Sequence, residues 1–283
     1  MRLLVTGAGG QLGRDVVLAG EAAGDEVVAA DHATLDVSDR DAVLGAVLSI
    51  QPDAVVHCAA WTAVDACEGD PDRAYLHNAL AVRWVAEAAR RAGAHLVHLS
   101  TDYVFDGTKP APYHEWDVPA PASVYGRSKL AGEREAVDGA PGATVVRTSW
   151  VCGEHGANMV KTVLRLAAEH PVLSFVDDQR GHPTFTADLA PVLRRLALDR
   201  RPGLFHVTNQ GAVSWYEFAG AVLAAAGEDP SRVKPMATAD LQPARPAPRP
   251  ANSVLRNAAL EASGLPLLDD FRAPLARLVT QLR

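Results

Sequence analysis

Tyr125 and Lys129 stand four positions apart in the run YGRSK, so a helix would present both from one face to a single ligand. A phenol ordinarily titrates near pH 10, too high for easy proton exchange at neutral pH. A neighbouring ammonium stabilises the phenolate, and the pair becomes a usable general acid or base. Solvated helices carry Tyr and Lys at this spacing by chance as well. The surrounding sequence raises the pair above chance: STDYVFDG, residues 100–107, puts Ser100 and Thr101 at a strand end, where a hydroxyl can hydrogen-bond a carbonyl oxygen.

The N-terminus supplies a partner for that chemistry. In TGAGGQLG, residues 6–13, an apolar strand breaks at Gly7 and restarts as a helix near Gln11, with Gly7, Gly10 and Gly13 three apart and Gly9 between them. Amides at a helix start attract phosphate, and glycine lets an anion approach the backbone. The pattern is GxxGxxG and not the simplest dinucleotide fingerprint, and by itself it also fits an ordinary strand-to-helix turn. Asp31 follows Gly7 by 24 residues, in register for a carboxylate to accept hydrogen bonds from the adenosine ribose hydroxyls. Its charge opposes a 2′-phosphate and favours NADH, while His32 beside it keeps NADPH in play. Asp36 and Val37 lie further along, where they can reach an adenine; a plain turn aspartate is the other reading of Asp36.

The elements that must hold these residues follow from hydrophobic periodicity. RLLVTG, EVVAAD and AVVHCAA alternate with helical stretches at Asp15–Gly24, Arg40–Ile50 and Asp72–Ala92. HLVHLSTDYVF and ATVVRTSWV add strands, with a helix at about Tyr125–Val137 between them. This βαβ order predicts an α/β fold, a Rossmann-type doubly wound parallel sheet whose ligands sit beyond the carboxyl ends of its strands. The rhythm loosens near residue 150, which predicts a first domain at 1–150 and a smaller lobe at 151–283, with part of 176–207 returning to the first. LQPARPAPRPANS reads as an ordered loop crossing a binding cleft, or as a solvated linker.

Composition removes whole classes. With 27 basic and 34 acidic residues, a net charge of -7 and no basic cluster among aromatics, the chain has no electrostatic footprint for nucleic acid. No apolar run reaches membrane-spanning length, and the N-terminus enters its first strand without the succession of a signal peptide; a cytoplasmic protein is expected. Cys58, Cys67 and Cys152 show neither CxxC nor ligand spacing with histidine, so neither a disulfide framework nor a zinc site is expected.

These motifs, with AAWTAVDACE (59–68), RTSWV (147–151), DDQRGHPTFTADLA (177–190), SWYEFA (214–219) and RPANS (249–253), resemble the extended short-chain dehydrogenase/reductases, and among them the dTDP-4-dehydrorhamnose reductases. The likeness runs through nearly the whole chain. It implies reduction of the C4 ketone of a dTDP-4-keto-6-deoxyhexose by NADPH or NADH. By position, Thr101, Tyr125 and Lys129 match the catalytic trio, and the Gln11–Leu12 turn with Ala59, Ala60 and Thr62 matches the cofactor loops. Asp102, Tyr103 and Trp150 match positions near the sugar, and Arg249 falls where a cation can meet the diphosphate; core packing for Trp150 and plain solvation for Arg249 are the other readings. The family is also associated with Mg2+ held by glutamates at a homodimer interface. Asp15, a shorter acid, stands at the matching early position, which weakens the case for metal here.

The implied chemistry is hydride delivery to C4 with Tyr125 donating the proton, Thr101 polarising the carbonyl, and Lys129 both lowering the phenol pKa and holding the nicotinamide ribose. A 4,6-dehydratase needs a second acid after Asp102, where this chain has Tyr103. A 4-epimerase uses the same Tyr, Lys and fold but retains its NAD, and a non-catalytic regulatory subunit of the same fold has no need of the intact Tyr125/Lys129 pair.

Overall fold

A computed structural model describes all 283 residues. β1 (Arg2–Thr6) sends Leu3 and Val5 into one apolar layer and Leu4 into another, leaving no face for water, as a parallel strand covered by helices requires. The chain continues through α1 (Gln11–Ala22), β2 (Glu26–Ala30), α2 (Arg40–Ile50) and β3 (Ala54–His57). Then come α3 (Val64–Gly69), α4 (Pro71–Tyr75), a π-helical turn (Leu76–Leu80), α5 (Ala81–Ala92) and β4 (His95–Thr101). A 3₁₀ turn (Asp102–Val104) and a long loop lead to α6 (Val124–Gly139) and β5 (Thr144–Thr148).

Beyond β5 lie β6 (Val151–Cys152), α7 (Met159–Glu169), β7 (Leu173–Val176), β8 (Arg180–Gly181), β9 (Thr184–Phe185) and α8 (Thr186–Leu198). They are followed by β10 (Gly203–His206), β11 (Val213–Ser214), α9 (Trp215–Ala225), β12 (Val233–Met236), α10 (Ala258–Ala262) and α11 (Arg272–Gln281).

The main sheet has six strands in the order β10-β5-β4-β3-β1-β2, every neighbouring pair parallel. Val43 and Val47 of α2, Val82 and Val85 of α5 and Ala136 of α6 cover one face; Val16 of α1 and Leu189, Leu193 and Leu196 of α8 cover the other. The strand order reverses about β1, the switch point where such sheets open a ligand cleft. Residues 186–206 thus join the sheet by way of α8 and β10. A third apolar cluster, centred on Phe218, Leu223, Phe271 and Leu275, packs α7, α9 and α11 with the β7–β12 ladder into a smaller layer. No helix is long and apolar enough to cross a membrane.

Three expectations change in detail. The helix expected at Asp72–Ala92 is interrupted by the π-helical turn, which carries Asn78. The strand HLVHLSTDYVF stops at Thr101, because the Thr101 hydroxyl accepts from Tyr103 N and caps the 3₁₀ turn. ATVVRTSWV divides into β5 and β6 because Trp150 takes a left-handed backbone, φ 45°, which no strand can carry.

Candidate active site

Where β1 ends, Gly7 turns with φ +69°, and a Cβ there would lie 2.6 Å from the amide nitrogen of Ala59; the turn brings β1 and the residue 58–60 loop into near contact and only glycine fits. Gly10 caps α1 without a side-chain acceptor, so the first-turn amides of Gln11, Leu12 and Gly13 have no cap to satisfy them. Beside them opens a cleft of about 650 Å³ lined by Gly7, Gly10, Asp31, Val37, Ala59 and Ala60 among others. The Asp31 carboxylate uses Oδ1 to accept from the backbone of Ala33 and Thr34 and from the Thr34 hydroxyl, all at 3.0 Å. These bonds, the Thr34 hydroxyl first, hold its pKa below the usual carboxylate value, and Oδ2 is left for a ligand.

The structure separates the other cofactor candidates. Asp36 Oδ1 closes on Ser38, accepting from its backbone nitrogen at 2.9 Å and its hydroxyl at 2.7 Å, and Asp36 is not in the wall of the cleft, which its neighbours Leu35 and Val37 line. Thr62 is exposed and also outside the lining. Leu12 packs on the apolar layer of α1 and α8. The Gln11 side chain turns away, donating to Val151 O at 3.0 Å and accepting from Asn158 Nδ2 at 2.7 Å. Sequence reasoning missed Arg73 and His77, which line the same cleft as His32 and Asp31, with Arg73 over the Trp61 ring at 4.7 Å.

α6 carries Tyr125 and Lys129, and glycine again sets the approach: a Cβ on Gly126 would lie 2.1 Å from Tyr103 O. The helix therefore lies directly on the 3₁₀ turn that follows Thr101. The π-helical turn fixes α6 from the other side, because Asn78 clasps both backbone polar groups of Trp61 (2.8 and 3.0 Å) and donates to Ser128 Oγ at 3.0 Å; such turns are recurrent at functional sites. One turn past Lys129, Glu133 receives Ser100 Oγ at 2.5 Å and a two-pronged bond from Arg147 at 2.7 Å for each prong, all three side chains buried. That ion pair ties α6 to the ends of β4 and β5.

Within this frame the Tyr125 ring meets Tyr103 edge to face, centroids 5.6 Å apart. Burial holds the phenol well above its ordinary pKa, with the Thr101 hydroxyl pulling the other way and Asp102 and Tyr103 adding to the rise. Lys129 Nζ donates to Leu99 O at 2.6 Å, and burial brings its pKa down to about 8 against the opposing pull of Glu133. The expected lowering of the phenol pKa by Lys129 is therefore not what sets Tyr125 here: the ammonium is turned to the β4 backbone, and the phenol stays protonated. Such a phenol carries its proton at neutral pH, as a proton donor must. The Lys129 charge reaches the Cys58 thiol, which lines the cofactor cleft, and Tyr125 touches Tyr103.

Asp102 is 2% exposed. Its Oδ1 accepts from Thr101 Oγ1 at 3.0 Å, and Oδ2 has no partner. Burial lifts its pKa to about 6, although the nearby Ser253 and Thr101 hydroxyls oppose the rise. Between pH 4 and 6 the folded protein then binds more protons than the unfolded chain, so this group's contribution to stability declines as pH rises through that window. The resulting deficit above pH 6 is on the order of 3 kcal/mol. Asp102→Asn is expected to raise the melting temperature at pH 8 by several degrees, with the gain gone by pH 4. Melting curves at the two pH values check this; an equal shift at both would mean that the carboxylate charge is not the cause.

On the far side of Tyr103 lies a second cavity of about 380 Å³, walled by Met159, Phe175, Trp215, Arg245 and Arg249 among others. Trp150 stands behind Trp215, ring on ring at 3.5 Å, and is not in the wall; a left-handed Trp costs of order 1–3 kcal/mol, and the stack holds it there. Trp215, in the SWYEFA run, is the tryptophan that reaches the cavity. Arg249 is nearly buried and bound to Asp65. The proline-rich stretch is the ordered loop across the cleft: Ala247 N, Arg245 and Arg249 all bond Asp65. No group of three or more His, Cys, Asp or Glu side chains is placed to hold a metal ion, and Asp15 belongs to no such set within this chain.

A doubly wound parallel sheet with a glycine loop at its switch point, and a helix carrying Tyr125 and Lys129 against the end of β4, define an extended short-chain dehydrogenase/reductase. The chain belongs to the RmlD family: the model described as RmlD substrate binding domain matches residues 1–283. It is 44% identical over 279 residues to a probable dTDP-4,6-dihydroxy-2-methyloxan-3-one 4-ketoreductase of Streptomyces antibioticus, covering 97% of this chain and 93% of the relative. With a dTDP-4-dehydrorhamnose reductase of Streptomyces griseus the identity is 43% over 280 residues, 97% and 91% of the two chains. The crystal structure of dTDP-4-dehydrorhamnose reductase from Bacillus anthracis in complex with NADP superposes with a TM-score of 0.95 at 37% identity, covering 99% of both chains.

Proposed function

We propose that this protein reduces the C4 ketone of a dTDP-4-keto-6-deoxyhexose, dTDP-4-dehydrorhamnose or a related deoxysugar, using NADPH or NADH. The reading is supported by Tyr125 touching Tyr103, which lines a second cavity floored by aromatics, and by a separate dinucleotide-sized cleft at the glycine loop, in a chain 43% identical to a dTDP-4-dehydrorhamnose reductase. The cofactor fits the cleft through the uncapped α1 amides and the free oxygen of Asp31. When bound, it supplies the hydride to the carbonyl carbon. Tyr125 gives its proton to the carbonyl oxygen as charge develops there; the Thr101 hydroxyl turns from Asp102 to the same oxygen and orients it. Lys129 holds the nicotinamide ribose, and Asp102 and Tyr103 border the sugar.

On this reading residues 1–150 with 186–206 form the dinucleotide-binding unit and most of the remainder the sugar-nucleotide lobe; the protein works in the cytoplasm as a homodimer, which sedimentation checks. The deciding assay is NADPH oxidation with a panel of dTDP-4-keto-6-deoxyhexoses, products identified by NMR. Oxidation with one or more of them is expected. No oxidation with any, or turnover on retained NAD without added reductant, would replace the ketoreductase by the epimerase or the binding-module reading.

Cofactor choice supplies a separate test. Asp31 opposes a 2′-phosphate, while Arg73, in the wall of the same cleft, offsets it, so both cofactors are expected to bind. Asp31→Ala should weaken NADH by roughly 1–3 kcal/mol through lost charge-assisted hydrogen bonds and NADPH much less, and Arg73→Ala should do the reverse. Dissociation constants for both cofactors decide it. Equal losses in Asp31→Ala would mean that Asp31 only builds the Ala33–Thr34 turn.

A further inference from the structure

The sequence places one cation, Arg249, at the diphosphate of the substrate, but the structure finds that guanidinium already engaged. Arg249 Nη1 donates to Asp65 Oδ1 at 2.5 Å and to Ala247 O at 2.7 Å, and Nη2 donates to Asp65 Oδ2 at 2.8 Å. The side chain is 14% exposed and lies against the Tyr103 hydroxyl. Three of its five N–H donors are thus used inside the chain in a fork-to-fork pair. A phosphate arriving here would have to break that pair, and Asp65 would be left beside an anion.

Arg245, four residues earlier on the same strap, differs in each respect. It also lines the second cavity, its side chain is 57% exposed, and its one bond is a 3.3 Å contact from Nη1 to Asp65 Oδ2. One carboxylate faces two guanidiniums, so the mouth of the cavity keeps a net positive charge, and that charge belongs to the less committed arginine. The cavity behind it presents Trp215, Phe175 and Met159, surfaces on which a flat base can pack, and its inner end is Tyr103, which touches Tyr125. A ligand with an apolar ring, an anionic middle and a reactive polar end matches that sequence of surfaces.

We propose that Arg245 is the residue that binds the diphosphate of the nucleotide substrate, and that the Asp65–Arg249 pair is a latch that pins the strap and Tyr103 in place for it. This rests on the sugar-nucleotide reading above and assigns the contact within it. Neutralising Asp65 by Arg249 leaves Arg245 free to swing its remaining donors onto two phosphate oxygens. Asp65, held ionised with a pKa of about 2 by Arg249 first of all, keeps the latch closed throughout the working pH range.

The experiment is calorimetric titration of the wild-type protein, Arg245→Ala, Arg245→Lys and Arg249→Ala with dTDP and, separately, with thymidine, which carries no phosphate. Arg245→Ala is expected to weaken dTDP by about 10- to 100-fold, the range for losing charge-assisted hydrogen bonds, and to leave thymidine unchanged; Arg245→Lys should restore part of the loss. In turnover with the keto sugar nucleotide, KM should rise by more than kcat falls. Arg249→Ala, by freeing the strap, should weaken both ligands. Wild-type affinity for dTDP in Arg245→Ala, or an equal loss of dTDP and thymidine, overturns the assignment while the ketoreductase reading stands. Absence of dTDP binding by the wild-type protein overturns both.

Discussion

Tyr125→Phe is expected to lower turnover by roughly two to four decades, the contribution of a positioned general acid, while the variant still binds its cofactor. The change removes one hydroxyl and nothing else that packs: the ring keeps its edge-to-face contact with Tyr103, and α6 keeps its clasp through Asn78, Ser128 and the Glu133–Arg147 pair. Because burial holds the phenol protonated, the wild-type rate should not fall at moderately alkaline pH through loss of this proton, and its solvent isotope effect should disappear in the variant. Turnover within about threefold of wild type would lie far below the general-acid range and would remove Tyr125 from the mechanism.

The parts of this site that the sequence discloses are those written in local patterns. Strand and helix periodicity is set by which faces are buried, so the βαβ order was legible, as was the Tyr125/Lys129 spacing, which needs only a helix. The glycine loop is legible because Gly13 is demanded by backbone packing within its own turn, where a Cβ would meet Gly7 O, and Gly7 by its positive φ. What could not be read are relations between distant segments. Asn78 draws its role from a π-helical turn that no periodicity announces, and it acts on Trp61 and Ser128, 17 and 50 residues away. Arg245 and Arg249 meet Asp65 across 180 and 184 residues, and no composition argument links a proline-rich strap to that acid. Asp36 and Trp150 show a second kind of relation that residue type does not disclose. Both have the right residue type near the right place, and in each the side chain is used locally, by Ser38 in one case and by Trp215 in the other.

The site is also held against the interest of stability, and this separates function from scaffolding at the last position. Lys129 buries an ammonium whose bond is to Leu99 O, and its pKa of about 8 lies below the ordinary value of 10.5. Between pH 8 and 10.5 the folded protein binds fewer protons than the unfolded chain, so stability should rise with pH across that window by up to about 3 kcal/mol. Below pH 8 the full burden of the buried charge is present. A residue kept for packing alone would not carry it.

Lys129→Met, which keeps the length of the side chain and removes charge and donor, should therefore lose activity by about two decades or more and weaken cofactor binding roughly 10-fold or more, as a charge-assisted bond to the ribose is lost. The same variant should be as stable as wild type or more so at pH 7, with the alkaline rise in stability abolished, the unpartnered Leu99 carbonyl offsetting part of the gain. In the wild-type protein, activity should decline as pH rises through about 8, because the ammonium that holds the ribose is lost there, and that limb should be absent from the residual activity of Lys129→Met. Cofactor titrations, pH–rate profiles and melting curves at pH 7 and 10 measure all three. Should Lys129→Met instead lose stability and activity together while binding cofactor normally, Lys129 would be a strut between α6 and β4, and the ribose contact would have to be given to another residue.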